Sequence, residues 1–334
     1  MPNLPRPRLQ RAQRPLPGAD PAALIEQAAA SAPDVVQAAG LRWINITRPK
    51  LADRDWLERE FGFHPLDFED VYSRNQRPKL DVYDEYLFIV LQFPVFDKAT
   101  NRLLAVEVDI FIGPDFLITL PNEPFRPLEV LLERYSENEE LRERTFSYGS
   151  GYLLYKLVDA AVDNSFPMLR KVGLKLERIE DDIFEGRSPE IVRDISNVKQ
   201  EIINFRKIVR PQRAVLRDLE RSKQRYLADE LEIYFDDISD AAERIWDILE
   251  NYKEVIEGLE DTNESVLSHR LNEVIRVLTA VSVVLLPLTL MASIFGMNVV
   301  FPGEGTPVGF WVIMISMATI LVGLVVFFRS RGWL

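Results

Sequence analysis

Two long runs without a single charged residue near the C-terminus constrain this chain most. From Val277 to Gly303, 27 residues pass uncharged; after Glu304 another 24 follow, from Gly305 to Phe328. About 20 apolar residues suffice to cross a bilayer as a helix. A buried helix of a soluble protein rarely stays uncharged for so long, so the pair predicts two membrane spans, over 277–298 and 308–328. Between them, residues 299–307 contain Pro302, Gly303, Gly305 and Pro307, and read as a short loop. Arg270 and Arg276 precede the hairpin and Arg329 and Arg331 follow it, whereas the loop has no Lys or Arg. The positive-inside bias then puts both termini, including a short tail over 329–334, in the cytoplasm of a cell with the hairpin in its inner membrane. Trp311 and Trp333 fall near opposite ends of the second span, where interfacial aromatics are expected.

The rest of the chain is of different character. Of 52 acids and 40 bases, only two acids and three bases lie after residue 270, which leaves 50 acids and 37 bases before it. An acidic body does not suit nucleic acid, which favours a basic face; it does suit cations. There are no cysteines and only two histidines, His64 and His269, so thiolate sites are excluded and an imidazole-rich zinc cage is not expected. Residues 1–20 are rich in Pro and Arg and read as a disordered tail. No phosphate-binding loop and no Ser/His/Asp set is legible, so neither ATP-driven pumping nor hydrolysis is expected and the chain reads as a non-enzyme.

Upstream of the first span, Ile238, Ala242, Ile245, Leu249, Tyr252, Ile256 and Leu259 recur at alternating steps of four and three, one face of a helix. No stop signal separates them from the span, so one helix is expected from about Leu231 to Ser293, roughly 95 Å long at 1.5 Å per residue. Such a helix needs partners. Two further helical stretches offer themselves, from about Tyr152 to Phe184 and from about Pro189 to Leu219, with a kink expected at Pro211. Gly186 and the Ser188-Pro189 pair divide them. These make a long-helix stalk over 151–276. Residues 21–150 read as an α/β domain. Strand-like alternation marks Leu41–Thr47, Tyr86–Phe96 and Leu103–Leu120, the last split into a hairpin by Ile112-Gly113-Pro114-Asp115-Phe116, with helical patterns over 52–61 and 127–136. The fold class is therefore an α+β membrane protein.

Two spans cannot enclose a water-filled path, so transport requires several copies of the chain. Asp261, Ser268, Ile275, Leu278, Ser282, Leu286, Thr289 and Ser293 follow a heptad-like spacing along one side of the first span. That side is acidic at one end, apolar in the middle, and small or hydroxylated at the other. Small polar residues can line water and an apolar ring can close a pore by dewetting. The same spacing also suits ordinary helix packing, in which Ser and Thr are common. Pro287 leaves the Val283 carbonyl without its helical donor, which is tolerable beside water or protein. At the far end, Gly296 allows close backbone approach and Asn298 offers a neutral carbonyl oxygen, suited to holding an ion through its water shell. Magnesium releases water reluctantly, so such a filter avoids much of the dehydration cost.

Gly296-Met297-Asn298, placed at the end of the first of two C-terminal spans, resembles the signature of the CorA family of magnesium transporters. Further stretches also resemble it: Phe63-His64-Pro65-Leu66 with Glu69-Asp70, Gln76-Arg77-Pro78-Lys79, Tyr155-Lys156-Leu157-Val158-Asp159, the run from Asn272 to Thr279, and Pro287-Leu288-Thr289. The resemblance implies a funnel-shaped homopentamer whose first span lines the pore. It implies a selectivity ring at Asn298, polar pore positions at Asp261 and Thr289, and a hydrophobic constriction at Ile275, Leu278 and Leu286. It further implies regulatory Mg2+ bound between neighbouring protomers by Glu69, Asp70, Asp159 and Asp237. Read without it, Glu69 and Asp70 also suit the N-terminal acids of a helix, and Asp237 beside Asp236 and Asp240 a solvated acidic face.

Two departures bear on the ion. Phe295 stands where the family usually has Tyr, and the outer loop lacks the family's Met-Pro-Glu-Leu pattern, with Glu304 as its one acid. The family includes the ZntB zinc-transporting branch, so Mg2+, Co2+, Ni2+ and Zn2+ all stand as cargo, and channel and proton-coupled carrier both stand as mechanism. A membrane-anchored sensor or scaffold is the reading from another class.

Overall fold

The structure is a computed structural model and describes residues 32–73, 77–97, 102–185, 190–221, 227, 229–297 and 306–333. The described residues fall into two compact units: the chain up to Glu177 with Ser196–Ile256, and Arg178–Ile195 with Glu257 onward.

The first unit is built on strands β1 (Asp34–Ala38), β2 (Leu41–Asn45), β3 (Lys79–Val82), β4 (Leu87–Asp97), β5 (Arg102–Ile112) and β6 (Phe116–Pro121). They form one sheet in the order β1-β2-β6-β5-β4-β3. Every neighbouring pair is antiparallel except β2 and β6, which run parallel. The hairpin expected over Leu103–Leu120 is β5–β6, and the Gly113 amide closes it on the Phe116 carbonyl at 3.1 Å. Helices cover both faces of the sheet, which is why Leu87 to Leu91 on β4 are all buried instead of alternating. Burying each such side chain contributes about 1.5–3 kcal/mol.

On one face, α1 (Leu51–Phe61) and α2 (Pro65–Tyr72) bring Leu57, Phe63 and Phe68 onto Ile44, Phe88, Val90 and Phe111. On the other lie α3 (Arg126–Glu137), α4 (Glu139–Phe146) and α5 (Ser150–Asp163). There Trp43 of β2 meets Tyr135 edge-on, with ring centroids 6.2 Å apart, and its indole donates to the Thr119 hydroxyl at 3.1 Å. Four short elements were not legible in the sequence: β1, β3, α2 and α4. Each is eight residues or shorter, too brief to set up a period.

The stretch expected as one helix from Tyr152 to Phe184 is two, α5 and α6 (Ser165–Glu185), separated at Asn164. The cause is in the sequence: Pro167 has no amide hydrogen to return to the Asp163 carbonyl, so the ladder breaks there. Helix α7 (Ile191–Glu220) instead runs through Pro211. Helix α8 (Glu232–Phe295) has 64 residues and no internal break, matching the expected long helix. Ile238, Ala242, Ile245, Leu249 and Ile256 are buried along it as the spacing requires. Partly exposed ion pairs tie the helices together: Lys175 to Glu201, Arg206 to Glu250 and Arg213 to Glu243. The two arginines also lie over the Trp246 ring, each 5.0 Å from its centroid.

The second unit contains the C-terminal part of α8 and all of α9 (Pro307–Ser330). Both helices are long and apolar enough to cross a membrane. Thr306 caps α9, its hydroxyl accepting the Gly309 amide at 3.2 Å. The two helices meet where Ala280 and Val284 pack on Phe328 and Leu324. From Leu271 onward the two helices otherwise expose most of their apolar side chains, Leu271, Val277, Leu285, Leu290, Val312 and Val326 among them. A surface of that kind belongs in lipid or against other protein.

Candidate ion pathway and regulatory carboxylates

The residues placed on a pore line by their spacing all remain exposed in the single chain: Asp261, Ser268, Ile275, Leu278, Ser282, Leu286, Thr289 and Ser293. At 3.6 residues per turn they occupy a strip roughly opposite Ala280 and Val284, the residues that meet α9. The second span therefore leaves that face uncovered. Its hydroxyls have a particular chemistry. Ser282 donates to the Leu278 carbonyl at 2.9 Å and Thr289 to the Leu285 carbonyl at 3.0 Å. With the proton spent inside the helix, each oxygen turns only lone pairs outward. Such a surface accepts hydrogen bonds from a cation's water shell and offers an anion nothing.

Helix α8 ends at Phe295. The Gly296 amide still bonds the Ala292 carbonyl at 2.9 Å, and the Met297 amide tightens onto Ile294 at 3.3 Å. A Cβ at 296 would lie 2.9 Å from the Ala292 carbonyl oxygen, so only glycine fits without a shift. Asn298 and Glu304 lie outside the described residues, as do residues 1–20 and most of the loop over 299–307.

The four carboxylates expected to bind regulatory metal fall into two groups. Glu69 and Asp70 sit in the second half of α2, not at its start, which corrects the alternative of helix N-terminal acids. His64 is the N-cap, its Nδ1 accepting the Leu66 amide at 3.2 Å, and the first-turn acid is Asp67. Asp67 is buried and accepts from the hydroxyls of Tyr83 and Tyr86, each at 2.7 Å, which fixes α2 on the sheet. Glu69 is exposed. Asp70 is not bare: its Oδ2 accepts from Lys79 Nζ at 2.6 Å, and the same ammonium bonds Asp81. Lys79, Asp81 and the buried Asp109 behind them were missed in the sequence reading. A signal existed for the last: Glu107 and Asp109 are alternate acids in a strongly apolar strand, so both must face one side of the sheet.

Asp159 on α5 and Asp237 on α8 form the other group. Burial raises the Asp159 carboxyl above its ordinary value, and Asp163 and Asp237 add to the rise while Lys156 opposes it. Tyr155 beside them is pushed up to about 12 by burial and by the same two carboxylates, Asp159 and Asp237. The carboxyl of Asp237, with Asp236 and Asp240, is exposed. Among the described residues, no three acidic or histidine side chains converge into a ready metal cage within one chain.

The family model for the CorA-like Mg2+ transporter protein matches residues 38–330. The chain belongs to the CorA family. It is thus a member of a family of divalent-cation transporters of the membrane, and its two apolar helices are consistent with that. The cobalt/magnesium transport protein CorA of Thermotoga maritima is 31% identical over 296 residues, which span 87% of this chain and 83% of its own. The zinc transport protein ZntB of Pectobacterium atrosepticum is 22% identical over 302 residues, 90% of each chain. Among solved structures, the CorA magnesium transporter of Methanocaldococcus jannaschii superposes with a TM-score of 0.79 at 23% identity, over 88% of this chain and 92% of that one. That likeness gives the CorA fold, an N-terminal α/β part with long apolar C-terminal helices.

Proposed function

We propose that the chain is the subunit of a homopentameric, funnel-shaped magnesium channel of the inner membrane, with both termini in the cytoplasm. The reading rests above all on one observation. The face of α8 turned away from Ala280, Val284 and Phe328 is exposed throughout and carries an acid, then the apolar residues Ile275, Leu278 and Leu286 with the Ser282 hydroxyl among them, then the Thr289 hydroxyl, both hydroxyls turning lone pairs outward. Five such faces around an axis make a path for a hydrated cation, with Ile275, Leu278 and Leu286 as the belt that closes by dewetting. Asn298 supplies the amide ring at the outer end, and Glu304 draws cations to it. The electrochemical gradient drives the ion inward, at about 2.3 kcal/mol per charge for each 100 mV.

Regulation follows from the acidic body. Glu69 and Asp70 of one protomer face Asp159 and Asp237 of the next, and bare carboxylates there repel. Internal magnesium bound between them holds the belt narrow; its loss loosens the interfaces and lets the belt hydrate. The metal acts this way only if it prefers the closed state. The magnesium assignment draws on the named cargo of the Thermotoga relative. Zinc is the second reading, drawn from the named cargo of the ZntB relatives. Cobalt and nickel would share the path.

Flux into proteoliposomes tests this, comparing magnesium with zinc, with and without a pH gradient, for wild type and Asn298→Ala. Magnesium influx that follows the membrane potential and collapses in the variant is expected. Zinc influx that needs the proton gradient would move the chain to the zinc branch, and absence of both fluxes would leave a membrane-anchored scaffold.

A further inference from the structure

The geometry points to Lys79 as the residue that sets the divalent-cation threshold of Asp70. The inference rests on the reading of Asp70 as a regulatory metal ligand.

Lys79 Nζ lies 2.6 Å from Asp70 Oδ2 and also bonds Asp81 Oδ2, so one ammonium bridges two carboxylates. The pair with Asp70 is not an ordinary surface salt bridge, because the two side chains are only 32% and 22% exposed. The Lys79 ammonium also stands 5.1 Å from the centre of the Phe88 ring, on the face that α2 covers. Burial pulls the Lys79 pKa down, but the hydrogen bonds to Asp70 and Asp81 outweigh it and the net shift is upward. The group stays an ammonium at neutral pH.

A further carboxyl lies behind it. Lys79 pairs with Val90 on β4, and Val90 with Asp109 on β5, so the three lie in one row on one face of the sheet. Asp109 is 1% exposed, and its Oδ1 has no hydrogen-bond partner among the described residues. It interacts electrostatically with Lys79 and Asp70. Among the described residues, Lys79 is therefore the cation that acts on Asp70, Asp81 and Asp109 together.

A divalent cation arriving at Asp70 meets a site that already holds a positive charge. It must displace the ammonium or share the carboxylate with it. The ammonium is tethered to the same fold, so its effective concentration at Asp70 is high and independent of the bulk. Lys79 thus acts as a resident competitor: the metal binds Asp70 only when its own concentration is high enough to win. Asp81 tunes the competition by giving the displaced ammonium somewhere to stay.

Isothermal titration calorimetry of MgCl2 into the full-length protein in detergent tests this. The binding component of interest is the one that Asp70→Asn removes. Lys79→Met deletes the charge and keeps an unbranched stem over Phe88; Lys79→Arg keeps the charge. The affinity of that component is expected to rise about three- to tenfold in Lys79→Met and to stay within about twofold of wild type in Lys79→Arg. A merely structural role would weaken binding in both. Should Lys79→Met fail to fold, Lys79→Gln replaces it, since it also removes the charge but keeps a polar end toward the carboxylates. If Asp70→Asn removes the component but neither neutral variant tightens it, the role of Lys79 is overturned while Asp70 remains a ligand. If Asp70→Asn leaves the isotherm unchanged, Asp70 is no ligand and both readings fall.

Discussion

The Tyr252 hydroxyl on α8 lies so close to Gly173 on α6 that a Cβ at position 173 would stand 2.6 Å from it. The glycine is there to let the tyrosine in. Gly173→Ala gains about 1 kcal/mol of helix propensity but overpacks a helix interface at a cost of about 1–3 kcal/mol. A net loss of about 1 kcal/mol is expected. In the Tyr252→Phe background the nearest atom left is Cζ, at 3.3 Å, so the same alanine should be tolerated. Thermal unfolding of the single and double variants checks it; additive losses would mean the contact is not the cause.

Asp109 gives a prediction in pH. Burial raises its carboxyl well above the ordinary value, Glu107 and Asp70 add to the rise, and Lys79 opposes it. The folded chain therefore holds a proton that the unfolded chain releases near pH 3.9. The stability tied to that proton is present below the unfolded value and is lost as pH rises through the folded one. Asp109→Asn, which mimics the protonated carboxyl, should be more stable than wild type at neutral pH, with the gap closing as the solution is made acidic. Melting temperatures of both proteins from pH 4 to 8 read this directly, and parallel curves would refute it.

At the end of α8, Gly296→Ala places a Cβ 2.9 Å from the Ala292 carbonyl oxygen. The helix end must shift to relieve it, and with it the start of the proposed filter. Magnesium flux is expected to drop at least about tenfold while the melting temperature stays within a few degrees of wild type, since about 1–3 kcal/mol of local strain is involved. Wild-type flux in this variant would separate the close approach from conduction.

Leu278 is 65% exposed in the single chain and lies on the proposed belt. Leu278→Asn places an amide where dewetting should close the path. Flux should then persist at internal magnesium that silences the wild type. Val277→Asn, about 100° round the helix from Leu278 on the side away from the strip and also exposed, should leave the magnesium response unchanged. Equal behaviour of the two would argue against a belt at Leu278.

Much of the architecture was legible because it is periodic or uniform over long stretches. The α8 face from Ile238 to Ile256 repeats over enough turns to be read, and the membrane runs need only composition. Short elements were not: α2 has eight residues and β3 four, and their identity comes from what they pack on. The break at Asn164 was readable from Pro167, but the strong helical pattern on both sides masked it.

Composition and period alone give two membrane-length apolar runs, a long amphipathic helix leading into the first, and a strip of hydroxyl and apolar residues along one side of that helix. These are local properties, set by hydropathy and by the fixed 3.6-residue turn. Which side of α8 faces Phe328 and which stays open is set by packing between the helices. Tertiary structure alone brought Lys79 onto Asp70, nine positions away in the chain, with the buried Asp109 behind them. Pairings of that kind depend on strand register and on the docking of α2 across the sheet, and no local pattern encodes where those will bring two charges together.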